Sequence, residues 1–393
     1  MKQSSSRRAG TFIKAGLVSA VLLALLIFKF TDIQTVESVF RTLNWREIMF
    51  AAFMYTLAPV GRTLRFAVLL QVKPHALGRL FWAVCLHQAG LRLLPVRTGE
   101  AIFPYLYYKA LGEQAGQGVV GLIYSRLLDF AGLACIFLAF LAVTGMSGRV
   151  PWTWPAWAVL LFLVMSIIAI RLPWLLGVIS KILGRMGSNR KSRTRFVSKI
   201  MSLLDESRSA SLKIRSWPRL MGASLATLLV WAGIFGCFWF LMRPYHVSVQ
   251  NVVFGGTAAS IAGSVPAGGI GNFGTQEAGW TLGFSLAGIL PGLALATGLM
   301  VNLFTLAVTL VLAVLCLAVV RSSWRQWKES PLGSENQDPG DHEPDILGLE
   351  ERLENTEDPA GGEMLHVTGG VSKVEDVPAP KDIADSPDRL ERD

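Results

Sequence analysis

Long apolar runs separated by short polar connections make up most of this chain. Hydropathy predicts spans at about 12–30, 48–71, 117–146, 154–173, 219–243 and 289–320. Each supplies the ~20 apolar residues a helix needs to cross the hydrocarbon of a bilayer. Two further apolar stretches, about 79–111 and 249–287, are interrupted. The first breaks at Leu94-Pro95-Val96-Arg97-Thr98-Gly99-Glu100, the second at Pro266-Ala267-Gly268-Gly269-Ile270-Gly271. Each is either one long kinked helix or two half-helices that enter and leave on the same side. Backbone freed by Pro and a Gly run must find partners inside protein or beside a wet cavity, so the re-entrant hairpin is adopted. The expected fold is all-α and polytopic, with about six spanning helices and two broken hairpins.

Lys and Arg in the connections set the orientation. Lys2, Arg7 and Arg8 precede the first span, Lys73 and Arg79 follow the second, and the connection at about 174–218 carries ten Lys/Arg against Asp205 and Glu206. Placing these and Arg321 in the cytoplasm reconciles all the counts, provided each hairpin returns to its starting side. Both termini are then cytoplasmic, and the protein is expected in the cytoplasmic membrane. The hairpins open from opposite faces, so 48–146 and 219–320 read as inverted repeats, an arrangement suited to alternating access. The apolar run from Phe12 to Phe30 imitates a secretory signal but is long enough to span, and it is read as a retained first span.

Composition sharpens this picture. Of 393 residues 52% are hydrophobic, and mean hydropathy is +0.44, as in a membrane protein. The net charge of +9 conceals a division: residues 322–393 carry 7 Lys/Arg against 19 Asp/Glu, and residues 1–321 carry 30 against 9. A membrane domain at 1–321 and a disordered acidic cytoplasmic tail at 322–393 follow. The basic residues flank apolar spans, where anionic lipid headgroups of the inner leaflet account for them, and nucleic acid is excluded. Within the basic connection, Phe196, Ile200, Leu203 and Leu204 recur at helical spacing. They mark an amphipathic helix that either lies on the inner leaflet or stands in solvent. Trp152, Trp154 and Trp157 read as an interfacial aromatic belt. Cys85, Cys135, Cys237 and Cys316 all sit in apolar sequence, without metal-site or disulfide spacing.

Candidate chemistry is confined to buried ions. Three of the nine acids in residues 1–321 lie deep: Glu100, Asp129 and Glu277. Such residues mark pathways or ligand sites, because a membrane-depth charge is costly unless paired or wetted. Arg92, Arg97, Arg126, Arg62 and Arg65 accompany them. Arg126 and Asp129, at i and i+3, share a helix face and can pair; Arg62 and Arg65 either join the site or snorkel to an interface. His87 reads as a packed histidine. One interpretation has these ions neutralising one another and locking helices. The other is a mid-membrane polar site whose arginines bind a lipid phosphate, with amides of the Gly-rich turn at Gly269 and Gly271 meeting the headgroup. Asn272, Thr275 and Gln276 add neutral hydrogen-bonding groups. No HExxH, DxD, paired-carboxylate or Ser-His-Asp pattern appears, so an enzyme is disfavoured, and no cofactor or metal is expected.

Three segments together carry a family likeness: Arg97-Thr98-Gly99-Glu100, Arg126-Leu127-Leu128-Asp129, and Pro266-Ala267-Gly268-Gly269-Ile270-Gly271 followed by Glu277. Over roughly residues 12–321 the chain resembles the flippase-like membrane family typified by the transmembrane part of lysylphosphatidylglycerol synthase. Ser125 stands where members often carry Glu. The resemblance implies a stand-alone lipid-handling protein without the soluble aminoacyl-transferring domain. It also implies an anionic or glycosylated lipid substrate, polyisoprenoid or hopanoid lipids among the options. Arg97, Gly99, Glu100, Arg126, Asp129, Gly269, Gly271 and Glu277 would line its site. Two alternatives stand beside translocation: an accessory subunit or transferase presenting lipid to a partner protein, and a small-solute transporter.

Overall fold

The computed structural model describes residues 29–94, 99–144, 152–188, 195–264 and 270–328. All of these residues belong to one compact unit. The expected span at 12–30 therefore lies almost wholly outside the described residues, as does nearly all of the expected acidic tail.

Eleven α-helices and a few 3-10 turns make up the described residues. They are α1 Ile33–Thr42, α2 Trp45–Leu70, α3 Leu77–Leu93, α4 Ile102–Leu111, α5 Ala115–Thr144, α6 Thr153–Ser188, α7 Arg195–Ile214, α8 Trp217–Met242, α9 Val249–Ala262, α10 Thr275–Leu286 and α11 Pro291–Lys328. Four contain stretches long and apolar enough to cross a membrane: Ala115–Ala142, Thr153–Leu183, Trp217–Tyr245 and Pro291–Val319. The span expected at 48–71 is α2, whose 26 residues reach roughly 39 Å but carry Arg62 and Arg65 along their length. The chain is an all-α polytopic membrane protein.

Both interrupted stretches are helical hairpins. In the first, Gly90 and Gly99 meet backbone to backbone, and His87 lies against Phe103 at 5.2 Å between rings. In the second, Gly255 lies against Gly283 and Ala258 against Gly279. Such pairings make the arms antiparallel. With 17 and 10 residues in the first hairpin and 14 and 12 in the second, the arms measure roughly 15–26 Å, short of the ~30 Å hydrocarbon core. Each hairpin therefore turns back before crossing.

The two halves pack as an inverted pair. Helices α2 and α8 run antiparallel, with Val68 beside Gly222, Gly61 beside Val230, Ala58 beside Gly233, and Phe50 stacked on Phe240 at 5.2 Å. Small residues permit the close approach, since association within lipid rests on packing rather than on an apolar driving force. Contacts within α2–α5 and α8–α11 recur in matched pairs: α2–α3 with α8–α9, α3–α4 with α9–α10, α4–α5 with α10–α11, α5–α8 with α11–α2, and α5–α9 with α11–α3.

Helices α6 and α7 join the halves. The apolar residues of α7 turn mainly inward: Ala210 and Ile214 are buried with Leu172 and Leu176 of α6, and Leu204 packs beside them. Of the expected stripe, Ile200, Leu203 and Leu204 are half-buried and the side chain of Phe196 lies outside the described residues, while Leu212 stays exposed. Trp152 and Trp157 are outward-facing as expected of a belt. Trp154 instead stacks on Phe254 of α9, ring centres 5.7 Å apart and nearly parallel.

Candidate functional site

Two polar networks flank the seam between the halves. In the first, Arg65 of α2, 1% exposed, donates from Nη1 to Asp129 Oδ1 at 2.5 Å and from Nη2 to Asp129 Oδ2 at 3.3 Å. The same guanidinium reaches Ser125 Oγ at 2.5 Å and Thr227 Oγ1 of α8 at 3.2 Å. Its planar fork suits this bidentate grip on a carboxylate. Arg126 pairs with Glu100 at 3.1 Å and lies 3.8 Å from Asp129.

This geometry reorders the expected partners. Asp129 belongs mainly to Arg65, and the i, i+3 contact with Arg126 is the looser one. Arg65 does not snorkel; it is locked in the helix interface. Gly99 fixes the position of Glu100, because a Cβ there would sit 2.5 Å from the carbonyl of Gly90. Its role is close approach of the hairpin arms. His87 is buried, as a packed histidine should be, with its Nδ1 unpartnered among the described residues.

The second network is built around Asn302 of α11. Its Nδ2 donates to Glu277 Oε1 at 2.7 Å and to the Gly271 carbonyl at 3.1 Å, and its Oδ1 accepts from Arg92 Nη1 at 2.6 Å. Arg92 also reaches Gln276 Oε1 at 3.3 Å and Thr305 Oγ1 at 3.2 Å. Glu277, fully buried, accepts from the Gly274 amide at 2.7 Å and so caps its own helix. Gly271 takes φ 68°, a left-handed conformation natural to glycine. Arg97 and Gly269, also expected at the site, lie outside the described residues.

Between the networks is a cavity of about 150 Å³, room for roughly five waters. From the first half its wall receives Tyr55, Arg62, Gln88, Leu91, Arg92 and Arg126. The second half supplies Trp231, Ile234, Phe238, Ala259, Gly263 and the polar Ser260, Ser264, Asn272, Gln276 and Thr305. None of Glu100, Asp129 and Glu277 is on the wall; Glu100 holds the wall residue Arg126 from behind, while Asp129 and Glu277 hold Arg65 and Asn302, which are themselves off the wall. Sequence reading passed over Asn302, Thr305 and Gln88. Asn302 is the lone amide in the apolar run 291–319, with Thr305 and Thr309 three and seven residues on, a polar stripe that marks a buried face.

An inverted pair of hairpins, a central polar cavity and apolar spans are now in place, and residues 12–313 match the family described as Lysylphosphatidylglycerol synthase TM region. The chain belongs to that family. No curated protein and no solved structure matches it. Membership in the lysylphosphatidylglycerol synthase transmembrane family, taken with the apolar helices, makes it a multi-pass membrane protein concerned with lipid modification or transport.

Proposed function

We propose that this protein binds an anionic or glycosylated lipid and carries it between the leaflets of the cytoplasmic membrane, both termini facing the cytoplasm. The observation that carries the reading is the polar cavity at the seam of two inverted halves, with one re-entrant hairpin from each half contributing to its wall. Inverted halves can exchange states about a fixed central site, opening it to each side in turn. Arginine forks and neutral donors replace the hydration shell of a headgroup taken out of water, while the acyl chains remain in lipid. Glu100 acts by holding Arg126 in place for that task.

The test is transbilayer movement of a fluorescent lipid in vesicles reconstituted with the full chain. Wild-type protein accelerates it, and Glu100→Gln abolishes the acceleration while still inserting and keeping its melting temperature. Lipid retained without movement, in vesicles where the protein is correctly inserted, would favour an accessory subunit that presents lipid to a partner.

A further inference from the structure

The cavity is charged from one side only. Arg62, Arg92 and Arg126 all come from the first half. Their counterparts in the second are neutral. Gly61 and Gly233 are matched across the α2–α8 seam, so Arg62 answers to Ile234. Where the first arm of each hairpin meets its break, Arg92 answers to Ser264 and, one turn earlier, Gln88 to Ser260. Glu100 holds Arg126 as Glu277 holds Asn302.

Nor is this excess neutralised. Around the cavity stand four guanidiniums (Arg62, Arg65, Arg92, Arg126) and three carboxyls (Glu100, Asp129, Glu277). The two undescribed breaks, 95–98 and 265–269, contain no acid. Arg62 is half-buried on the wall and makes no hydrogen bond or ion pair with any described residue. Its nearest acid, Asp129, is taken by Arg65. Trp231 lines the same wall with its ring, its indole nitrogen buried beside Gly132 of α5. Every charge on this wall among the described residues is a cation, the Arg62 fork stands unfilled, and the carboxylates are turned away.

We infer that the cavity takes a headgroup whose phosphate carries net negative charge with no cation beside it, and rejects an aminoacylated one. The inference rests on the lipid-carrier reading and narrows its substrate class. A phosphate satisfies the free fork of Arg62 bidentately. A lysyl or similar ammonium placed there meets guanidiniums at short range and finds no acceptor carboxylate, an arrangement that discriminates by repulsion as well as attraction. The family's name points to an aminoacylated phospholipid; the wall of this member has the opposite complementarity.

The experiment uses the full chain in phosphatidylcholine nanodiscs, with bound lipid counted by native mass spectrometry. Phosphatidylglycerol, lysylphosphatidylglycerol and a neutral glycosyl diacylglycerol are offered in competition, with inorganic phosphate in a separate arm. Phosphatidylglycerol should be retained over both others by at least about tenfold, the factor one charge-assisted hydrogen bond carries. Arg62→Gln should erase that preference, and Arg62→Lys should restore part of it. Equal or better retention of the lysylated lipid overturns the inference, as does an unchanged preference in Arg62→Gln protein that melts like wild type. Stabilisation by inorganic phosphate with no preference among the lipids assigns the cavity to a soluble anion and overturns it too. Preference for phosphatidylglycerol without transbilayer movement in vesicles upholds the inference and removes the carrier reading. Movement of all three lipids at one rate does the reverse.

Discussion

Gly61 of α2 and Gly233 of α8 are each pressed against the other's helix at the same relative place. A Cβ on Gly61 would sit 3.0 Å from the Ala226 carbonyl, and one on Gly233 would sit 2.7 Å from the Met54 carbonyl. The obstructing atoms are backbone, so neither helix can yield locally. Gly61→Ala and Gly233→Ala should each cost about 1–3 kcal/mol in thermal unfolding of the detergent-solubilised protein. Both should also disturb the seam on which the cavity lies. A melting temperature unchanged by both would show that α2 and α8 are not so close.

Asp129 is expected to be the acid least tolerant of change. Removing it leaves Arg65 buried and unpaired at 1% exposure, and breaking a buried pair from one side costs about 3–5 kcal/mol. Asp129→Ala should therefore express poorly and melt early. Arg65→Met combined with Asp129→Leu should recover much of the loss, because both charges are then gone. Additive losses in that double-mutant cycle would show that the two residues do not stabilise one another.

Glu277 makes a different prediction, since it serves as a hydrogen-bond acceptor for Gly274 and Asn302. Glu277→Ala strands two buried donors, at about 1–3 kcal/mol each. Glu277→Gln keeps one oxygen and should melt between the alanine variant and wild type. Equality of the two variants would point to the negative charge near Arg92, rather than acceptance, as what matters.

Between the expected spans at 12–30 and 48–71, Asp32 caps α1 by accepting from the Thr35 amide at 2.7 Å, and hydrogen bonds from Thr35 hold its carboxyl below the usual carboxylate range. A depressed folded value means the cap contributes fully above the unfolded carboxylate pKa of about 3.9. The contribution is lost as pH falls through the lower folded value. Amide protection at the start of α1, taken relative to the intrinsic exchange rate at each pH, should fall on acidification in wild type and be low at all pH in Asp32→Ala.

Most of the frame was legible in the chain because bilayer thickness dictates it. Runs of ~20 apolar residues located four of the six expected spans, the two Pro/Gly breaks gave the hairpins, and position within apolar sequence singled out Glu100, Asp129 and Glu277. Partner choice was not legible. Spacing put Arg126 with Asp129, yet Arg65, 64 residues away in sequence, is closer, because tertiary packing of α2 against α5 sets the distances. Arg62 and Arg65 looked equivalent, but three residues of helix separate a locked ion from one on the cavity wall. Gly99 read as a site residue and proved to be the contact point of two backbones. Arg97 and Gly269 lie outside the described residues.

The unequal halves have a kinetic meaning. A carrier whose cations all ride on one repeat offers its cargo a different partner on each side of the gate: guanidinium forks on one, hydroxyls and amides on the other. Capture and discharge are then dissimilar events with dissimilar barriers. Such a difference sets how fast lipid enters and leaves from each leaflet, and never where the distribution comes to rest.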